Sequence, residues 1–172
     1  MSSRSERGRH LDPDSLGDHL DRLFRAAWGL CGSREEAEDL VQETYARVLA
    51  KPRFLRRDDD LGYLLRVLHN TFLTSLRTKS RRPRTVELVE ERPDPRSTGG
   101  ELHVESRDLL AAVAGLPEEY RDVLAAVDLA GLSYKEAGKA LGIPEGTVMS
   151  RLFRARQKVI AAVNPPRAVP TE

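Results

Sequence analysis

Apolar residues recur at three- and four-residue spacing along most of this chain, and the pattern fails across residues 83–105. Leu20, Leu23, Phe24, Ala27 and Trp28 open the first block at helical spacing. Ala37, Leu40, Val41, Thr44, Tyr45, Val48 and Leu49 then form an unbroken stripe that Pro52 ends. Leu61, Leu64, Leu65, Leu68, Phe72 and Leu76 predict a third helix, stopping before Pro83. The second block carries Leu109, Leu110, Val113 and Leu116, then Tyr120, Val123, Leu124 and Val127 after Pro117. No alternating strand pattern of useful length interrupts them. The expected fold class is all-α, two small helical bundles joined by a flexible linker that Pro83, Pro93, Pro95, Gly99 and Gly100 keep from periodicity.

Composition narrows the class. Charged residues make up 32% and aromatics 5%, so the cores rest on Leu, Val and Ala. The longest apolar run falls far short of the roughly 20 residues that span a bilayer. Residues 1–14 have no apolar signal-peptide core and are expected to be disordered. Cys31 stands alone, which excludes an intrachain disulfide; its place on the apolar side of a helix end predicts a buried structural thiol. A cytoplasmic protein without membrane contact is expected. The net charge of +1 conceals segregation. Glu35, Glu36, Glu38, Asp39 and Glu43 form an acidic patch; Arg77, Lys79, Arg81, Arg82 and Arg84 form a basic one. Arg151, Arg154, Arg156 and Lys158 form a second basic patch. Such patches fit either solvated helix faces or different partners for different faces.

The segment from Ser133 to Leu152 is the most informative. Ser133 and Glu136 read as a capping box, as do Ser33 and Glu36. Gly138 falls where two crossing helices leave room for nothing larger than alanine, and Gly142 suits a left-handed turn. Ile143, Val148 and Leu152 then seat a second helix. These offsets describe a helix-turn-helix. On the second helix Val148, Leu152, Ala155 and Val159 make one narrow stripe, leaving Thr147, Ser150, Phe153 and Arg154 outward and Arg151 on a flank. Arginine pairs bidentately with guanine, hydroxyls meet bases or phosphates, and Phe can meet a thymine methyl.

The first block offers two further surfaces. The helix over 33–50 points Asp39, Gln42, Glu43 and Arg47 away from its apolar stripe. The third helix ends in five bases and carries Tyr63, His69 and Asn70 among its polar positions. Aromatics beside cations suit unpaired bases, although the spacing of Tyr63 fits core packing equally well.

Gly32-Ser-Arg-Glu-Glu-Ala-Glu-Asp-Leu-Val-Gln-Glu-Thr-Tyr45 resembles the polymerase-binding signature of extracytoplasmic-function (ECF) sigma factors of the sigma-70 family. Leu116-Pro-Glu-Glu-Tyr-Arg-Asp-Val-Leu124, Gly131-Leu-Ser-Tyr-Lys-Glu136 and Gly142-Ile-Pro-Glu-Gly-Thr-Val148 resemble their region four. The similarity covers about residues 18–163. It implies a sigma-2-like domain over 15–82, a linker over 83–105, a sigma-4-like domain over 106–163 and a flexible tail over 164–172. The implied function is to direct core RNA polymerase to promoters, with no catalytic residue, metal or cofactor. The implied partners are promoter DNA, the clamp helices of the largest polymerase subunit, the flap of the second-largest, and an anti-sigma factor. Carried over by position, Asp39, Leu40, Gln42 and Glu43 would bind polymerase. Tyr63, His69, Asn70, Arg77, Lys79, Arg81 and Arg82 would bind the minus-ten element. Thr147, Met149, Ser150, Arg151, Phe153 and Arg154 would bind the minus-thirty-five element.

The chain departs from that pattern in places. The family often has Trp at Tyr63, Arg at His69 and Asp at Thr74, and usually Arg at Met149. Gly138 replaces a common alanine at a helix-interior cost of about 1 kcal/mol, so a looser motif is expected there. Two rival readings stand beside the resemblance. One is a helix-turn-helix regulator that never engages polymerase. The other is a metal-dependent nuclease built on Asp58, Asp59 and Asp60, a run that is usually solvated, and His10, His19, His69 and His103 are too dispersed to assist it.

Overall fold

The computed structural model describes residues 9–11, 13–51, 54–55, 60–81 and 104–164. The linker over 83–105 therefore lies almost wholly outside the described residues, as do Arg82, Asp58 and Asp59. Seven α-helices are described: α1 (Leu20–Cys31), α2 (Arg34–Ala50), α3 (Asp60–Arg81), α4 (Val104–Ala114), α5 (Glu118–Leu124), α6 (Tyr134–Leu141) and α7 (Glu145–Val163). A 3₁₀ turn over Pro13–His19 precedes α1. Extended structure among the described residues is a two-residue antiparallel pairing, Arg9–His10 with Phe54–Leu55.

Local chemistry sets most of the boundaries. Gly32 ends α1 in the left-handed region at φ 77°, and its N–H donates to the Trp28 carbonyl at 2.7 Å. Ser33 then caps α2, its hydroxyl accepting from the Glu36 N–H at 3.4 Å. The reciprocal half of that box is missing, because the Glu36 carboxylate turns to Lys79 on α3 instead. Ser133 and Glu136 do form the complete capping box at the start of α6. Residues 125–129 continue α5 as a π-helical turn, closed by the Ala130 N–H on the Ala125 carbonyl at 2.9 Å.

Leu23, Ala27, Ala37, Val41, Leu64 and Leu68 build the core of the first bundle; Val113, Val123, Ala137, Val148, Leu152 and Ala155 build that of the second. Two expected core positions face solvent instead. Leu49, at the last turn of α2, is exposed, and so is Leu76, where α3 extends past the bundle.

The bundles, expected to move independently, are packed against each other into one continuous apolar cluster. α1 lies against α4 and the π turn, and α3 lies against α6. Gly29 is the notch of this seam: a Cβ there would come within 2.4 Å of Leu129 Cδ1 and 3.4 Å of Val113 Cγ1. Arg22 donates from Nε to the Ala130 carbonyl at 2.6 Å and from Nη2 to that of Gly131 at 2.8 Å. These cations reach carbonyls at the end of a helix, where backbone acceptors lack intrahelical partners.

Candidate nucleic-acid and polymerase interface

The second helix of the helix-turn-helix, α7, separates its two faces completely. Val148 and Ala155 are fully buried, with Leu152 and Val159 beside them. Opposite them Phe153 is 66% and Met149 51% exposed, large apolar side chains that nothing in the fold covers. Ser150 and Arg154 are exposed on that same face, and Thr147 is half-buried at its start. The turn that aims the helix is tight. Gly142 sits at φ 71°, and the Ile143 N–H returns to the Gly138 carbonyl at 3.0 Å.

The basic residues of α7 are not equivalent. Arg156 forms a two-pronged pair with Asp128, at 2.9 and 2.6 Å, which raises its already high pKa. Lys158 lies over the Tyr120 ring at 5.6 Å, and Arg151 stands 3.6 Å from Glu119. Of these four cations, Arg154 is the one with no such partner among the described residues.

On α2, Asp39, Gln42 and Glu43 are exposed as expected, with Arg47 holding Glu43 at 2.6 Å. Leu40 is not part of that surface. It is 6% exposed and belongs to the core, its carbonyl accepting from the buried Thr44 hydroxyl at 2.7 Å. The α2 wheel had already placed Leu40 on the apolar stripe; the positional carry-over overrode that signal.

On α3, Tyr63, Asn70 and Arg77 stand seven residues apart and share one stripe, which Arg81 extends. Asn70, Arg77 and Arg81 are exposed, whereas Tyr63 is half-buried against the core. Lys79 is exposed but paired with Glu36. His69 departs from its expected role. It faces the second bundle, with Nε2 2.7 Å from Asp122 Oδ2 and both side chains nearly buried. Sequence alone gave no sign of Asp122, which joins His69 from 53 positions away.

Cys31 is half-buried. Burial, with Glu36 nearby, pushes its thiol up to about 12, far from the range of reactive cysteines. Asp60, the described member of the acidic run, is buried in the first turn of α3.

Comparison with known proteins agrees with this geometry. Residues 16–82 match the family described as Sigma-70 region 2, and residues 106–159 match Sigma-70, region 4. The ECF RNA polymerase sigma factor SigE of Mycolicibacterium smegmatis is 37% identical over 150 residues, an alignment that covers 82% of this chain and 57% of that protein. EcfG of Rhodopseudomonas palustris, also an ECF RNA polymerase sigma factor, is 32% identical over 86% of this chain and 84% of its own length. Among solved structures, the sigma factor RpoE of Bartonella quintana in complex with the anti-sigma factor NepR superposes with a TM-score of 0.69 at 26% identity, covering 90% of this chain and 97% of that one. With both sigma-70 regions present in order and relatives aligned along most of its length, the chain belongs to the ECF sigma factors of the sigma-70 family.

Proposed function

We propose that this chain binds core RNA polymerase and directs it to promoters with defined minus-ten and minus-thirty-five elements. The observation that carries the reading is the outward face of α7, where Met149, Ser150, Phe153 and Arg154 are exposed opposite a fully buried stripe. Arg154 serves as the base reader, since an unpaired guanidinium can give a guanine two hydrogen bonds, worth about 1–3 kcal/mol of discrimination. Arg151, on the flank beside Glu119, serves a phosphate and contributes affinity without sequence preference. Thr147 supports the start of that face. Met149 gives the element an uncharged contact where relatives usually carry Arg.

Asp39, Gln42 and Glu43 form the polymerase-facing surface on α2, and Leu40 holds that helix on its bundle rather than touching the partner. Tyr63, Asn70, Arg77 and Arg81 form the minus-ten stripe of α3, with Lys79 and Arg82 at its basic end. The chain acts by recognition, in the cytoplasm, with no catalytic group or cofactor of its own. An anti-sigma factor is a further partner in this reading, as for the RpoE neighbour solved with NepR.

The test is run-off transcription by core polymerase over a genomic promoter library, with wild type and Asp39→Ala/Glu43→Ala. The wild type is expected to start transcription at a defined promoter class, and the double variant to bind core at least tenfold more weakly with unchanged helicity. DNA binding without any gain in core-dependent transcription would favour a plain helix-turn-helix regulator.

A further inference from the structure

The seam between the two bundles is built from contacts that a sigma factor at work could not keep. Promoter elements named for positions minus ten and minus thirty-five lie about 25 base pairs apart, roughly 85 Å along B-DNA. A compact chain of 172 residues has a radius of gyration of only about 16 Å. Here α6, the first helix of the helix-turn-helix, rests on α3 itself. Arg66 of α3 donates to the Lys139 carbonyl of α6 at 2.9 Å, and His69 holds Asp122 of α5. Both residues border the stripe of Tyr63, Asn70 and Arg77. With the seam closed, one promoter element can be engaged, never both.

The geometry points to an autoinhibitory latch in this chain: His69 with Asp122, the Arg22 clamp on the π turn and the Gly29 notch together hold the sigma-4-like bundle on α1 and α3 until core polymerase separates them. The inference rests on the function proposed above. Three features mark the seam as fitted rather than incidental. Gly29 sits inside a helix, where glycine costs about 1 kcal/mol relative to alanine, at a position where the closed packing leaves no room for a methyl group. Gly32 repeats the pattern, with Ala114 Cβ 2.9 Å from where its own Cβ would lie. The family's common Arg at position 69 is replaced by a shorter ring that meets Asp122 at hydrogen-bond distance.

The seam is also built to open. Asp122 Oδ1 and Arg121 Nε are buried without a hydrogen-bond partner, standing 3.7 Å apart, while the Arg121 guanidinium lies 5.1 Å over the Phe72 ring. Buried charges with incomplete hydrogen bonding recover solvation when the interface parts. A cleft of about 490 Å³ between His69, Glu119, Asp122, Ile143 and Arg151 leaves the latch incompletely packed on one side.

The experiment measures the distance between spin labels at Thr78→Cys and Ala162→Cys, both exposed positions, in the full chain carrying Cys31→Ser. The free wild-type background should give one short distance. Gly29→Leu, which fills the notch, and His69→Ala, which removes the latch from a different helix, should each shift the distribution longer by about 20 Å, of the order of one small bundle's diameter. Circular dichroism confirms that helicity is retained; if Gly29→Leu loses it, His69→Ala decides. Long distances in the free background, or unchanged short ones in the folded variants, would overturn the latch. Adding core polymerase to the background should produce the same lengthening. Variants that open while core polymerase has no effect would leave the closing contacts established, but would overturn both release by polymerase and the sigma-factor reading.

Discussion

A Cβ added at Gly138 would stand 2.7 Å from the Ile143 carbonyl oxygen, a backbone atom that no rotamer change can move aside. Helix propensity alone favours Gly138→Ala by about 1 kcal/mol. Crowding a close-packed site costs about 1–3 kcal/mol, so the steric effect is expected to win. The glycine therefore tightens the turn of the helix-turn-helix, where its propensity alone suggested a looser one. Gly138→Ala should lose about 1 kcal/mol, lowering Tm by roughly 2–4 °C for a chain of this size; a higher Tm would show that the turn relaxes freely. Leu40 and His69 teach the complementary lesson about single positions. A family motif transfers a residue's place along the chain, but whether its side chain reaches a partner depends on the fold around it. Leu40 was legible as core from its own wheel. The Asp122 that occupies His69 was not, since nothing local to either residue announces the other.

At the scale of elements, the two Ser-x-x-Glu sequences behave differently for a physical reason. Glu136 accepts from the Ser133 hydroxyl at 2.6 Å and from the Ser133 N–H at 2.8 Å, closing its box. Glu36 has Lys79 within reach and leaves its own box half made. The hydrogen bonds from Ser133, side chain first and then backbone, hold the Glu136 carboxyl below its usual range. A carboxylate depressed in the folded state stabilises above its unfolded pKa, and that contribution fades as pH falls through the folded value. Ser133→Ala is therefore expected to cost about 1 kcal/mol at neutral pH. The difference from wild type should shrink at about pH 3, below the ordinary carboxylate pKa. Urea unfolding of both chains at the two pH values checks this, and a pH-independent difference would remove Glu136 from the cap. Every α-helix was legible from periodicity and caps, but the π turn over residues 125–129 was not. Its carbonyl ends are held by Arg22 and Arg25 of α1, more than a hundred positions away, so no local pattern encodes it.

At the scale of the molecule, the sequence pattern showed which faces are apolar without showing which face meets which. α1 buries residues on both sides: Leu23 and Ala27 belong to the first bundle's core, whereas Gly29 meets Leu129 and Val113 of the second. Two bundles were therefore legible, and their seam was not. How firmly the seam holds follows from cutting the covalent connection. A protease site placed between Ser97 and Thr98 would turn the chain into two fragments joined only by non-covalent contacts. A seam with unpartnered buried atoms and an open cleft resembles a transient interface, for which a Kd of about 10⁻⁴ M, near −5.5 kcal/mol, is reasonable. The intact connection supplies an effective concentration of order millimolar, so the closed state should exceed the open one by about tenfold. Core polymerase then has only about 1.4 kcal/mol to overcome. The nicked fragments should co-elute at several hundred micromolar and separate at a few micromolar. Co-elution persisting below about 1 µM would put the closed state near a thousandfold excess, a barrier of about 4 kcal/mol that polymerase binding would have to supply.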